Sequence, residues 1–448
     1  MGRARFGTDG LRGVANADLT AELALDLGRA TARVLGASEF VVGRDTRRSG
    51  PLLQSAFSAG LATEGVSVAD VGVLTTPALA WLARDRAVPA AVISASHNPF
   101  EDNGIKLFSA LGTKLPVETE QAIEKELDAV GKAADRPRGA RVGDIVADRQ
   151  GAEEYRKGVV AALEGRRLDG LHVILDCANG AASSHAPRIF ESLGARVEAV
   201  FDQPDGININ DGCGSTHPEV LGRTVLERGA ALGLAFDGDA DRLVAVDHRG
   251  QVADGDTLLA LFAIDLSDHG QLPGDSIVVT VMSNLGLRLA MADRNISVVE
   301  TPVGDRAVLG ALDVGGFSLG GEQSGHIVFR HLATTGDGIL TGLLLADLVV
   351  RSGVSLAARV TGLIDRIPQV LKNVAVLEPH RLAEASEVWR TVREVELTLG
   401  TTGRVLLRAS GTEPVIRVMV ETPDPEAAES AVQQICAAVE TALGRPRG

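Results

Sequence analysis

Aromatic residues are scarce: Phe, Trp and Tyr together make up 3% of the 448 residues. The cores must therefore be filled mainly by Ala, Val, Leu and Ile. Cysteine is nearly missing as well. Cys177, Cys213 and Cys436 lie far apart with no C-x-x-C pair, which excludes a disulfide framework or a thiolate zinc site and points to a reducing compartment. Positive charge is in deficit, 44 Lys and Arg against 59 Asp and Glu for a net −15. A nucleic-acid binder would need a basic stripe to neutralise phosphates, so none is expected as a partner. No apolar run is long enough for a bilayer. Ile339 to Val350 comes nearest, but it is short, carries Asp347 and predicts a buried helix. Met1 to Gly10 contains Arg3, Arg5 and Asp9 and has no apolar h-region, so no signal peptide is expected there. The nucleotide fingerprints are missing too. There is no G-x-x-x-x-G-K-[ST], and the glycines at 7, 10 and 13 lack the G-x-G-x-x-G spacing. The expectation is a soluble cytoplasmic protein that contacts neither nucleic acid nor membrane.

What is present is an alternation of strand-like and helix-like segments. Asp18 or Thr20 can cap a helix whose Leu23, Leu27, Thr31 and Val34 share a face, with Gly36 placed to end it. Phe40-Val41-Val42 and Ala90 to Ile93 read as strands. The pattern restarts with a strand at His172 to Leu175, a helix over Ser183 to Leu193 and a strand over Leu232 to Phe236. It restarts again with Ile277 to Thr280, a helix near Leu285 to Met291 and a strand at Ile296 to Glu300. Repeated βα units argue for α/β layers with largely parallel sheets. After about Pro368 the character changes: Arg404 to Arg408 and Val415 to Glu421 read as neighbouring strands and Pro425 to Leu443 as a helix, a smaller α+β domain. The polar stretch Gly131 to Arg149 marks a boundary. The domains expected are 1–150, 151–252, 253–367 and 368–448.

Four loops carry the candidate chemistry. Ser94-Ala95-Ser96-His97-Asn98-Pro99 follows a strand, where α/β proteins place ligands, and offers Ser94 and Ser96 as nucleophiles. Asp237-Gly238-Asp239-Ala240-Asp241-Arg242 sets three carboxylates on alternate positions. Such a cluster repels itself unless a hard cation sits among its oxygens, and three carboxylates leave positions open for a phosphate oxygen and water, which suits Mg²⁺. An EF-hand is excluded, because its sixth and twelfth positions would be Arg242 and His248. Gly320-Gly321-Glu322-Gln323-Ser324-Gly325-His326 brings groups that can pair with hydroxyls, and a histidine that titrates near neutrality. In Arg408-Ala409-Ser410-Gly411-Thr412-Glu413-Pro414-Val415-Ile416-Arg417, two arginines flank a turn whose hydroxyls and N–H groups can converge on one phosphate.

In this order and spacing the four loops resemble the α-D-phosphohexomutase superfamily, and the likeness covers essentially the whole chain. Phe6 to Gly13, Asp211 to Glu219, Gln323 and Thr334-Thr335-Gly336-Asp337-Gly338-Ile339 are most similar to its bacterial amino-sugar branch. That resemblance implies four domains around a central cleft, three α/β and a C-terminal α+β. It implies a phosphoryl group on Ser96, and Mg²⁺ held by Asp237, Asp239, Asp241 and the Ser96 phosphate. Glu322 and Ser324 would grip sugar hydroxyls, and Arg408, Ser410, Gly411, Thr412 and Arg417 the phosphate that is not reacting. Arg12, His97, Lys106 and Arg242 match positions near the reacting phosphate, and Lys106 and His326 are candidates to move the hydroxyl proton. The reaction implied interconverts glucosamine 6-phosphate and glucosamine 1-phosphate through glucosamine 1,6-bisphosphate, feeding UDP-N-acetylglucosamine and cell-wall precursors. The alternative is a glucose or mannose phosphate mutase, and a homodimer is left open. One departure stands out: Gly304-Asp305-Arg306 is followed by Ala307 where the family usually has Tyr.

Overall fold

The computed structural model describes residues 5–7, 9–130, 136–410 and 414–444, apart from the side chain of Thr401. The chain forms two compact units, 1–280 with 299–361, and 281–298 with 362–448.

The first unit begins with a six-stranded sheet made of β1 (Leu11–Val14), β2 (Glu39–Arg44), β3 (Ser67–Val73), β4 (Ala90–Ile93), β5 (Asp102–Phe108) and β6 (Ile145–Ala147), in the order β1-β5-β4-β2-β3-β6. The helix expected near Thr20 spans Ala21–Leu35. The Thr20 hydroxyl accepts from the Leu23 N–H, and Gly36 ends the helix in a left-handed conformation. It packs on helix Gly50–Thr63 at two glycines. A Cβ on Gly28 would lie 2.2 Å from the Phe57 carbonyl oxygen, and one on Gly60 2.1 Å from that of Leu25, so only glycine permits this approach. The core beneath is built of Leu, Val, Ile and Ala, with Phe40 and Phe57 edge to face, their centroids 6.0 Å apart.

A five-stranded sheet follows with β7 (His172–Asp176), β8 (Arg196–Val200), β9 (Leu232–Phe236), β10 (Leu243–Asp247) and β11 (Val252–Ala253), in the order β11-β10-β9-β7-β8. The helix expected over Ser183 to Leu193 is shorter. A 3-10 turn at Ala181–Ser184 precedes helix Ala186–Ser192, because Pro187 is tolerated only in a first helical turn. The third sheet has β12 (Ser276–Thr280), β13 (Ser297–Thr301), β14 (Leu319–Gly321) and β15 (Ile327–Phe329), in the order β13-β12-β14-β15. Ile339 to Val350 lies in the buried helix Gly338–Ser352, and no described helix is long and apolar enough to cross a membrane.

One construction recurs in all three sheets. β4 runs parallel to β2, β9 to β7 and β14 to β12, and each then turns back into an antiparallel partner, β5, β10 or β15. The three connections are the serine, aspartate and Glu322 loops. Each lies at the C-terminal end of a strand in a parallel pair, where α/β proteins place ligands.

The second unit is an antiparallel sheet of β16 (Gln369–Ala375), β17 (Arg404–Ala409) and β18 (Val415–Glu421), ordered β16-β18-β17, with helices Ser386–Leu399 and Pro425–Leu443. Buried Glu421 ties helix Leu285–Ala292 to this sheet. Its Oε1 accepts from Asn284 Nδ2 at 3.0 Å and its Oε2 from the Leu285 N–H at 3.1 Å.

Candidate active site

Ser96 sits in the turn between β4 and β5, 2% exposed, with a positive φ of 53°. A left-handed backbone is costly for a residue with a Cβ, and it persists only where neighbours enforce it. Its N–H donates to Ser94 Oγ at 2.9 Å, and its own hydroxyl donates to Asp237 Oδ2 at 2.6 Å. His97 Nδ1 lies 3.2 Å from the same hydroxyl. Burial, with the charges of Arg242 and Arg12 adding, pushes His97 down to about 4, so its ring is neutral at neutral pH.

The aspartate loop closes the β9–β10 hairpin, where Phe236 faces Leu243. Asp237, Asp239 and Asp241 are all buried, and one oxygen from each lies within 4.8 Å of the others. Asp239 Oδ2 is already engaged, accepting from Thr76 Oγ1 at 2.6 Å and Lys106 Nζ at 2.9 Å, while the Thr76 N–H, at the start of helix Thr76–Arg86, donates to the Asp239 carbonyl at 3.0 Å. The other oxygen, Asp239 Oδ1, and Asp241 Oδ1 are buried with no hydrogen-bond partner. Two orphaned carboxylate oxygens beside a third carboxylate are what a hard divalent cation needs, so the residues present fit Mg²⁺.

The charges diverge for physical reasons. Burial first, then Asp241 and Asp239, push Asp237 well above the usual carboxylate range. Burial acts the same way on Asp239, but Lys106 and the Thr76 hydroxyl outweigh it and hold Asp239 low. Lys106, 1% exposed, is raised, because Asp239, Asp9 and Asp241 overcome its desolvation. The shift favours its charged form, so Lys106 sets positive charge beside the aspartates.

A second network lies alongside. Asp9 accepts from Arg12, Lys106 (3.0 Å) and Lys114 (2.7 Å), and Lys114 reaches Asp305 at 2.6 Å. Burial works to raise Asp9, but the three cations keep it well below its ordinary value. Asp9, Lys114, Asp305 and Thr76 were not singled out from the sequence. Asp9 lies in the Phe6 to Gly13 segment and Asp305 in Gly304-Asp305-Arg306, and those motif matches were the available signal. Ala307 lies in the first turn of a regular helix, Asp305–Gly315, and the neighbouring Arg306 pairs with Glu120 at 2.8 Å.

The third loop joins β14 to β15, with Gly321 facing Ile327. The Leu243 N–H donates to the Gly325 carbonyl at 3.0 Å, which sets this loop beside the aspartate loop. A Cβ on Gly325 would be 2.2 Å from the Leu243 carbonyl oxygen, and its φ is +92°, so glycine is required there. Glu322 Oε1 accepts from the Gly304 N–H at 3.1 Å, and Gln323 Nε2 turns away to Asp254 at 3.5 Å. His326 Nε2 accepts from the Gly336 N–H at 3.2 Å, which assigns its proton to Nδ1. That Nδ1, like Ser324 Oγ, is buried and unpartnered.

The first unit thus brings together Ser96, Arg12, His97, Lys106, His326, the three aspartates, Arg242, Glu322 and Ser324. Arg408, Ser410 and Arg417 lie in the second unit, on the β17–β18 hairpin. Arg408 and Arg417 face each other across the strands, and the Ser410 N–H donates to the Val415 carbonyl at 2.9 Å. Burial, and then the charge of Arg417, pull Arg408 below its ordinary value. Like charges set directly opposite destabilise a strand pair, and an anion between them would relieve it. Gly411 and Thr412, expected at the tip, lie outside the described residues.

Fold and site together define a phosphohexose mutase, and comparison with known proteins gives the same class. The phosphoglucomutase/phosphomannomutase domain profiles match in order: domain I at residues 3–134, domain II at 153–250, domain III at 254–367 and the C-terminal domain at 371–438. The chain belongs to this family, has its four-domain α/β architecture and is an isomerase. The phosphoglucosamine mutase of Kineococcus radiotolerans is 49% identical over 98% of this chain and 99% of its own length. That of Mycobacterium marinum is 50% identical over 99% and 100%. Among solved structures, a phosphoglucomutase/phosphomannomutase family protein of Burkholderia thailandensis superposes with a TM-score of 0.81 at 26% identity, covering 99% of this chain and 100% of its own. Aspergillus fumigatus N-acetylphosphoglucosamine mutase, solved with GlcNAc-6P and magnesium, shares the fold at 17% identity and a TM-score of 0.69, covering 98% and 96%.

Proposed function

We propose that the protein interconverts glucosamine 6-phosphate and glucosamine 1-phosphate, with Ser96 carrying the phosphoryl group, and so supplies UDP-N-acetylglucosamine and cell-wall precursor synthesis. The reaction type is supported by one observation above all: the Ser96 hydroxyl lies 2.6 Å from Asp237, beside buried aspartate oxygens with no partner. The amino sugar is supported by the full-length relatives of 49–50% identity named phosphoglucosamine mutase.

Phosphoserine at Ser96 hands its phosphoryl to the sugar 1-hydroxyl. The Oγ–P bond breaks, a sugar O–P bond forms, and the hydroxyl proton ends on Ser96 Oγ, where the O–H rests on Asp237. The product is glucosamine 1,6-bisphosphate. In the return step the 6-phosphoryl passes to Ser96 Oγ and the proton passes to the sugar 6-oxygen. Asp237, Asp239, Asp241 and a Ser96 phosphate oxygen would hold Mg²⁺, which when bound neutralises charge on the transferring group. Lys106, held protonated, supplies fixed charge on the same side, with Arg12 and Arg242 near it. His326 donates from Nδ1, and Ser324 and Glu322 pair with sugar hydroxyls. Arg408, Ser410, Gly411, Thr412 and Arg417 hold the phosphate that is not reacting.

The test is turnover of glucosamine 6-phosphate with Mg²⁺ and a trace of glucosamine 1,6-bisphosphate, with glucose 6-phosphate in parallel. Faster turnover of the amino sugar is expected. Preference for glucose would keep the phosphoserine chemistry and move the substrate to the phosphoglucomutase branch, and no mutase activity on either would overturn the reading.

A further inference from the structure

Two segments have no part in the chemistry above: Gly43-Arg44-Asp45-Thr46-Arg47, and the run entering Asp211-Gly212-Cys213. Both end at the serine loop. Arg47 is fully buried, and all five of its N–H groups are spent. Nε pairs with Asp45 Oδ2 at 2.8 Å. Nη2 donates to the carbonyls of Ser96 and Asn98, each at 2.8 Å, and Nη1 to those of Pro99 and Asp102, the latter at 3.0 Å. Asp45 Oδ2 also takes the Ser94 hydroxyl at 2.7 Å, and Ser94 Oγ in turn accepts the Ser96 N–H. From the other side Asn210 Nδ2 donates to the same two carbonyls, Ser96 at 2.9 Å and Asn98 at 3.1 Å. Both peptide groups of the strained nucleophile are therefore held, its N–H through Ser94 and Asp45, its carbonyl by Arg47 and Asn210 together.

We infer that Arg47 and Asn210 are positioning residues that keep Ser96 in its left-handed backbone conformation, so that its Oγ points at the aspartate loop. Neither side chain touches the reacting atoms: Arg47 bonds to loop carbonyls and the Asp45 carboxylate, and Asn210 Nδ2 to loop carbonyls. A lysine at 47 keeps the charge but loses the planar fork, and one ammonium cannot serve four carbonyls and a carboxylate. Released, Ser96 relaxes towards a right-handed or extended backbone and swings its hydroxyl away. Misplacement of a reacting group by about 1 Å costs on the order of 100-fold in rate. Sugar contacts, made by other loops, are left as they are, and of the groups proposed to hold Mg²⁺ only the Ser96 phosphate oxygen is displaced.

The inference rests on Ser96 as the phosphoryl carrier, so Ser96→Ala is run beside the two variants. Arg47→Lys and Asn210→Ala are assayed for kcat, KM and the Mg²⁺ concentration for half-maximal activity, with folding checked by circular dichroism and melting. We expect kcat to fall about 100-fold in Arg47→Lys and about tenfold in Asn210→Ala, scaled to the misplacement cost above, with KM within about threefold of wild type and the Mg²⁺ midpoint raised as Ser96 withdraws its phosphate oxygen. Asn210→Ala buries no orphaned charge, so it decides the matter should Arg47→Lys fail to fold. A folded variant with wild-type kcat, or a loss carried by KM, would overturn the positioning role. Activity surviving in Ser96→Ala would instead remove the phosphoserine reading itself.

Discussion

Two clusters of like charge sit at hairpin tips in this molecule, and they are built differently. The aspartate loop of the first unit gathers three buried carboxylates, yet Lys106 lies within 2.9 Å of Asp239, and Thr76 adds a hydroxyl and an N–H. The protein supplies part of the counter-charge itself. The β17–β18 hairpin of the second unit sets Arg408 opposite Arg417, and their mutual repulsion helps pull Arg408 down. The first cluster is shaped before any ligand arrives, because phosphoryl transfer depends on fixed geometry and fixed charge. The second sets two like charges opposite each other on a strand pair, which suits the phosphate clamp proposed for it.

The largest expected effect lies on the acidic side. Ser96→Ala should cut turnover by about 10,000-fold or more while melting as wild type; wild-type-like activity would end the contrast, since the aspartate loop would then serve no nucleophile. Next comes the internal counter-charge. Lys106→Met strands buried Asp239, and urea unfolding should show a loss of about 3–5 kcal/mol. Added Mg²⁺ should restore more stability to this variant than to wild type. An unaltered unfolding midpoint would mean that Lys106 does not offset the carboxylates.

Asp337 probes the same neighbourhood through pH. Burial, with a contribution from Asp241, pushes it up to about 6, while it caps helix Gly338–Ser352 and accepts the Tyr155 hydroxyl at 2.9 Å. A raised carboxylate keeps its proton on folding, so its stability is full below the unfolded value near 3.8 and is lost as pH rises through about 6. Asp337→Asn removes that dependence. Its stability relative to wild type should grow by roughly 3 kcal/mol between about pH 4 and 6, and parallel melting curves across that range would refute it. The smallest effect belongs to the basic hairpin. Arg417→Lys replaces a fork by a point charge and should raise KM about tenfold, ~1.4 kcal/mol, with kcat kept. An unchanged KM would remove Arg417 from the clamp.

Much of this was legible in the sequence where the signal is local. The Thr20 cap and Gly36 stop bracket a helix, and the apolar runs before Ser94, Asp237 and Arg408 are strands because a short buried strand needs little else. The loops followed, since polar residues between two such strands form a hairpin tip. Strand β16 and helix Ser386–Leu399 went unread; both are largely exposed, with few residues fully buried. Asp9, Lys114 and Asp305 also went unread, as no local pattern marks a carboxylate that will meet a lysine 105 residues away.

By itself, then, the sequence determined which residues stand at the strand ends and what chemistry they offer, because strand, turn and cap preferences act over a few neighbours. Tertiary structure alone decided which aspartate oxygens lack a hydrogen-bond partner, which lysine meets the aspartates and which arginine holds the Ser96 carbonyl. Those outcomes depend on burial and on charges brought together from segments 133 residues apart, as Lys106 and Asp239 are.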